Sequence, residues 1–185
     1  TLRSSIQHAV YAAGLPLFDK DTLYAGTALS EDFTGEGWRT QLRFTDTPLY
    51  TPFEAGVKIV EVARGYDFAF FSHWLTDILG HRGTLAEAVH LLETIDGVMV
   101  GVLSAWRDDE GLIVLTSDHG NFEDLSHGKH TENRVPAVII GQGAADFAQG
   151  LHDLTGLAPR IAALLMAGTS QEIWPHMPHK KPHKE

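Results

Sequence analysis

The stretch Leu112–Gly141, LIVLTSDHGNFEDLSHGKHTENRVPAVIIG, decides how the rest of the chain is read. It opens on an aliphatic run, Leu112-Ile113-Val114-Leu115, with the composition of a buried strand. The run stops at Asp118-His119-Gly120, and a polar loop with His127 and His130 follows. Val135 to Ile140 then predicts a second strand. Ligands of open α/β sheets bind where strands end and loops begin, so the Asp-His pair stands where such folds put chemistry.

Working outward, regular patterning begins at Thr51. Thr51-Pro52-Phe53-Glu54 combines an N-cap, a first-turn proline and a glutamate three residues on, which predicts a helix to about Arg64 with Gly65 as its stop. Phe68-Ala69-Phe70-Phe71 reads as a buried strand. Thr84 and Glu87 form a second capping box, opening a helix to about Trp106 with Val89, Leu92, Ile95, Val98, Met99 and Val102 on its inner side. Ala158 to Ala167 predicts a final helix capped by Thr155. Before Thr51, Leu2 to Ala13 has helical spacing, and Asp19 to Leu29 reads as a short helix. Residues 30–51 read as loop with one further helical turn. The alternation of helices and strands predicts an α/β fold with a largely parallel sheet. The expected organisation is a small helical and loop segment over 1–51 that serves as a cap or lid, a metal-binding α/β domain over 52–173, and a disordered tail over 174–185 rich in Pro, His and Lys.

Bulk properties narrow the function. The 185 residues are the size of one domain, and the 43% hydrophobic content is enough for a core. A net charge of -10 argues against nucleic-acid binding, which needs basic patches. It leaves room for a small phosphorylated substrate, because bound cations reverse the local field. There are no cysteines, so disulfides and thiolate metal sites are excluded, and a cytoplasmic setting is the expectation. No segment reads as membrane-spanning, since the longest apolar helical stretch, Leu85 to Trp106, is interrupted by Glu87, Glu93 and Asp96.

Any metal must therefore be held by His, Asp and Glu. Asp77 and His81, at i and i+4, share one face of a helical turn. Asp118 and His119 follow the next strand, and His130 lies in the loop beyond. Two carboxylates and three imidazoles at successive strand ends are a donor set for Zn²⁺ or Mn²⁺. Taken singly, each has a plainer reading as a helix cap or a structural histidine.

Three segments together carry a resemblance: Asp77-Ile78-Leu79-Gly80-His81-Arg82-Gly83, Ser117-Asp118-His119-Gly120-Asn121-Phe122-Glu123, and His127-Gly128-Lys129-His130-Thr131-Glu132-Asn133-Arg134-Val135-Pro136. They resemble the metal-binding half of the alkaline phosphatase superfamily, nearest its cofactor-independent phosphoglycerate mutase and phosphopentomutase-like branch. The resemblance runs from about Gly65 to Gly141. It implies a three-layer sandwich, a mostly parallel sheet with helices on both faces, incomplete here at its N-terminus. It also implies two divalent ions, Mn²⁺ or Zn²⁺. Asp77, His81 and His130 would hold one, while Asp118 and His119 would supply half of the other. In the family the second ion also takes an Asp from an N-terminal strand and the Ser or Thr nucleophile. Neither motif is in this chain, so no catalytic nucleophile is assigned to it.

Arg82 reads either as a substrate phosphate contact or as a solvent-exposed arginine. His127 reads as a supporting loop residue, and Asn121 and Glu123 as residues that shape the loop. His73 and His90 have no motif support. Phe33, Trp38 and Tyr50 would line a cap or pack a core. The functional expectation is the C-terminal part of a metal-dependent phosphoryl-transfer enzyme, hydrolase-like, inactive without its nucleophile-bearing strands. The alternatives are a phosphomutase, a non-enzymatic metal-binding module, and one subunit of a split enzyme whose partner chain brings the nucleophile.

Overall fold

A computed structural model describes residues 5–170, so the expected tail over 174–185 lies outside the described residues, as does Leu2. The chain forms two compact units. One takes the residues up to Arg107 together with His119–Val135, and the other takes Asp108–Asp118 together with the chain from Pro136 onward.

The first unit is built on helices. α1 (Ser5–Ala12), α2 (Lys20–Tyr24) and α3 (Glu36–Thr40) are short, and α2 is a fraction of the helix expected from Asp19 to Leu29. Asp19 caps α2, accepting the Thr22 amide at 3.0 Å. α4 (Pro52–Ala63), α5 (Leu75–Arg82) and α6 (Leu85–Ala105) carry the core and the site. Both long helices begin at the expected boxes. Thr51 Oγ1 accepts the Glu54 amide at 3.3 Å while Glu54 Oε2 accepts the Thr51 amide at 2.8 Å, and Thr84 with Glu87 repeats the pattern at 3.3 and 2.7 Å. Each box satisfies two otherwise orphaned amides.

The face that α6 buries overlaps the one expected, which holds at Val98 and Val102 but not at Val89 and Leu92. Ala88, Leu91, Val98, Gly101 and Val102 are buried, whereas Val89 and Leu92 are 47% and 53% exposed. Glycine decides this rotation. A β-carbon at Gly56 of α4 would meet the Val98 carbonyl and the Val102 amide, and one at Gly101 would meet the Phe53 carbonyl. The two helices thus approach backbone to backbone, and the seam faces whichever side carries the glycines. Arg64 Nη2 donates to the Ala105 carbonyl at 2.6 Å, tying the two C-terminal ends. By length and composition α6 would be able to span a membrane; here it packs along α4.

Phe68–Phe71 does not form the expected strand. Among the described residues the only ladder joins the two strands of the second unit, and Phe68 and Phe70 are exposed. A strand exists only through hydrogen bonds to a neighbour, and apolar composition cannot replace one. Phe71 instead stacks on Phe33 at 5.1 Å. His73 stacks on the same ring at 4.5 Å and donates from Nδ1 to the Glu31 carbonyl at 2.7 Å. Burial holds its imidazole below the usual histidine range. It is a packing histidine, as the lack of a motif suggested.

In the second unit β1 (Leu112–Thr116) and β2 (Ala137–Gly141) pair antiparallel, with Leu112 opposite Gly141 and Thr116 opposite Ala137. The expectation is of a mostly parallel sheet as a whole, and such sheets commonly carry an antiparallel strand at an edge. The chain from Ser117 to Pro136 contains no helix, the usual crossover of a parallel return. α7 (Ala144–Ala148) follows, then α8 (Leu157–Ser170). A single 3-10 turn, Leu154–Gly156, precedes α8, and its cap is Asp153, which accepts from the Thr155 amide at 2.9 Å. Thr155 is therefore inside that turn rather than the cap of α8.

Candidate metal centre

α5 places Asp77 in its first turn and His81 in its last, so the i, i+4 spacing puts both on one face. The loop after His119 brings His130 to the same spot, all within the first unit. Asp77 Oδ1 lies 3.4 Å from His81 Nε2 and 3.3 Å from His130 Nε2, and the two nitrogens are 3.2 Å apart. These three form the cluster whose ligand atoms all lie within 4.8 Å of one another. His119 Nε2 approaches Asp77 Oδ1 at 3.7 Å without joining that cluster, and its ring stacks on His130 at 3.7 Å between centroids.

The spacing fits a cation. Bonds of about 2.0–2.1 Å to a tetrahedral Zn²⁺ put its donor atoms about 3.3–3.4 Å apart. Asp77 Oδ1 is buried and accepts no hydrogen bond, although it faces three imidazole nitrogens. A buried carboxylate oxygen left this way costs several kcal/mol unless positive charge meets it. Two imidazole nitrogens at 3.2 Å likewise require a proton or a cation between their lone pairs.

The supporting bonds select which nitrogen faces inward. His81 Nδ1 donates to the Gly128 carbonyl at 2.8 Å. A carbonyl only accepts, so the proton sits on Nδ1 and Nε2 keeps its lone pair toward the cluster. Gly128 has φ +60°, and a β-carbon there would meet the His81 carbonyl. His127 accepts the Lys129 amide on Nδ1 at 3.1 Å and lies 3.5 Å from Asp124 through Nε2, a supporting role as read from the motif.

Glu123 gathers the loop. Oε2 accepts the Asn121 amide at 2.7 Å, and Oε1 accepts from the Thr131 hydroxyl and from Asn133 Nδ2 at 2.9 Å. The Thr131 and Asn133 bonds pull its carboxyl down to about 2. Sequence reading named Glu123 and Asn121 as loop-shaping but missed how Asn121 does it. The Asn121 side chain is buried against Gly80, where a β-carbon would coincide with its amide oxygen. The one available signal was a glycine directly before a candidate ligand, Gly80-His81.

Asp118 ends the first stretch of the second unit, is exposed, and lies outside the three-residue cluster. Arg82 is exposed at the last position of α5. His90 is exposed on α6, 3.9 Å from Glu93.

A family model described as the metalloenzyme superfamily matches residues 52–168. The chain is 32% identical over 111 residues to the 2,3-bisphosphoglycerate-independent phosphoglycerate mutase of Methylobacillus flagellatus, covering 56% of this chain and 22% of that protein. It is 33% identical over 128 residues to the same-named protein of a Ruegeria species, covering 65% and 25%. With that of Serratia proteamaculans it is 28% identical over 167 residues, covering 82% and 32%. The chain therefore spans between about a fifth and a third of the length of these relatives. No solved structure matches it significantly. Since the family model covers well over half of the chain and includes every residue of the cluster, the chain belongs to the metalloenzyme superfamily, whose domains are alkaline phosphatase-like.

Proposed function

We propose that this chain carries the metal-binding part of a metal-dependent phosphoryl-transfer enzyme acting on a small phosphorylated substrate. Asp77, His81 and His130 hold one divalent ion, and Asp118 and His119 contribute to a second. The observation that carries this is the convergence of the Asp77 carboxylate with the Nε2 atoms of His81 and His130 within 3.4 Å, inside the segment that matches the family. The names of the relatives support a phosphomutase, which returns the phosphoryl group to another hydroxyl of its substrate. The hydrolase reading passes the same group to water and uses the same residues.

Divalent ions, when bound, lower the pKa of a coordinated hydroxyl and offset charge on the phosphoryl oxygens. The chain's own residues do the rest. Asp77 supplies the negative charge that selects a cation. His81 presents a lone pair because its other nitrogen is committed to Gly128. Arg82, exposed beside His81, offers a guanidinium to phosphate oxygens. Imidazole with carboxylate suits both Zn²⁺ and Mn²⁺. A cytoplasmic setting, with neither nucleic acid nor membrane as partner, completes the proposal.

Calorimetric titration of the full chain with Mn²⁺ and with Zn²⁺ tests the site. Binding by the wild type that disappears in a His81→Ala, His130→Ala double variant is the expected result; a wild type that takes up neither ion at micromolar concentration sinks it. Phosphorus NMR with phosphoglycerate and the bound ion, run on the chain joined to the nucleophile-bearing strands that the resemblance implies, separates the two chemistries, through a relocated ester for the mutase and inorganic phosphate for the hydrolase.

A further inference from the structure

His119 and His130 sit on two chain segments that meet directly behind their rings. Gly120 and Thr131, the residues that follow them, form an antiparallel bridge, with the Thr131 amide donating to the Gly120 carbonyl at 2.8 Å. One backbone bond leaves such a pair free to twist about it. Glu123 removes that freedom. Through Oε2 it holds the Asn121 amide on the His119 side, and through Oε1 it holds the Thr131 hydroxyl and the Asn133 amide group on the His130 side. Both oxygens are engaged by donors of the loop, so the carboxylate is committed to the protein rather than to an ion. The two imidazoles in front of this clasp stack with centroids 3.7 Å apart and planes 22° apart.

We propose that Glu123 is a positioning residue: by clasping residues 120–121 to residues 131–133 it sets the spacing of the His119 and His130 imidazoles, and through them the affinity and coordination geometry of the metal centre. This rests on reading Asp77, His81 and His130 as a metal site. The clasp needs the hydroxyl donor of Thr131 as much as the carboxylate acceptor of Glu123. Removing that donor has the same consequence as removing the acceptor.

Titration of the full chain with Co²⁺, followed by the visible absorption of the bound ion, tests the inference. Glu123→Ala and Thr131→Val are each expected to weaken Co²⁺ binding by roughly 10- to 100-fold, the usual cost of losing a residue that orients a ligand. They are also expected to shift the visible band, a change that a loss of stability alone does not produce. Thr131→Ser, which keeps the hydroxyl, restores affinity and band position. Wild-type affinity and spectrum in Glu123→Ala overturn the proposal, since the backbone bridge would then suffice. Equal loss in Thr131→Val and Thr131→Ser also overturns it, because methyl packing rather than the hydrogen bond would be responsible. Should Glu123→Ala fail to fold, the Thr131 pair decides alone. Absence of Co²⁺ binding by the wild type overturns the metal reading itself, and this inference with it.

Discussion

The seam between α4 and α6 and the loop from His119 to Asn133 both depend on glycine, and they are held by opposite forces. At the seam, Gly56 and Gly101 let two backbones touch, and Ala55, Val60, Val98 and Val102 are buried around them. In the loop, Gly120 and Gly128 let the chain press against Thr131 and His81, but what surrounds them is carboxylate, hydroxyl and imidazole. Apolar burial has little directional preference and scales with area. A hydrogen bond depends on distance and angle. The same packing error should therefore cost stability at the seam and nitrogen placement in the loop.

The sharpest test of that contrast is a pair of alanine substitutions. Gly56→Ala gains about 1 kcal/mol of helix propensity but forces a methyl onto the α6 backbone, and overpacking of this kind costs about 1–3 kcal/mol or more. We expect a net loss of stability in urea unfolding, with Co²⁺ affinity of the folded protein unchanged. Gly80→Ala carries the same propensity gain, and its methyl would displace the Asn121 side chain beside His81. Here Co²⁺ affinity should fall by roughly 10- to 100-fold, with the smaller change in stability. If Gly80→Ala binds the ion as well as the wild type, the loop is not tuned through Asn121 and the contrast fails.

A smaller effect tests whether the two regions are independent. Thr84 begins α6 two residues beyond Arg82. Thr84→Ala removes its N-cap and should cost about 1 kcal/mol in urea unfolding. Metal affinity should not move; a parallel loss would mean that helix capping and ligand placement are coupled.

The smallest effect is in pH. The Thr131 and Asn133 hydrogen bonds hold the Glu123 carboxyl at about 2, below its unfolded value of about 4.3. A depressed carboxylate contributes stability that is fully present above the unfolded pKa. That contribution is lost as pH falls through the folded one. In the metal-free chain, the amide resonances of Asn121 and Thr131 should hold their positions down to about pH 4 and move as pH approaches about 2. Movement centred near 4 would show that the clasp is loose in solution.

How much of this was legible in the sequence follows from how local each signal is. The boxes at Thr51 and Thr84 were readable because donor and acceptor lie within four residues of one another. Asp77 and His81 were readable as a pair because helical period alone puts them on one face. The Phe68–Phe71 strand was misread because its four residues look the same whether or not another strand runs beside them. Two positions of the inner face of α6, Val89 and Leu92, were misread for a related reason. Val89 and Leu92 are as apolar as Val98, and only the close approach at Gly56 of α4 and Gly101 of α6 chooses between them. The antiparallel pairing of β1 and β2 depends on a connection whose lack of a helix carried more weight than the general alternation of elements.

For the site, the sequence alone determined the donor types, their order and the family whose motifs they share, since ligand chemistry and short-range spacing are written in neighbouring residues. Tertiary structure decided what the motifs could not. It set the distances within the Asp77, His81 and His130 cluster that the motifs imply, left His119 beside it, turned the His81 lone pair inward through the Gly128 carbonyl, and seated Asn121 in the space at Gly80. Each of these joins residues some forty to fifty positions apart in the chain. The geometry of such contacts depends on directional bonds and on excluded volume across the fold, and no local pattern encodes either.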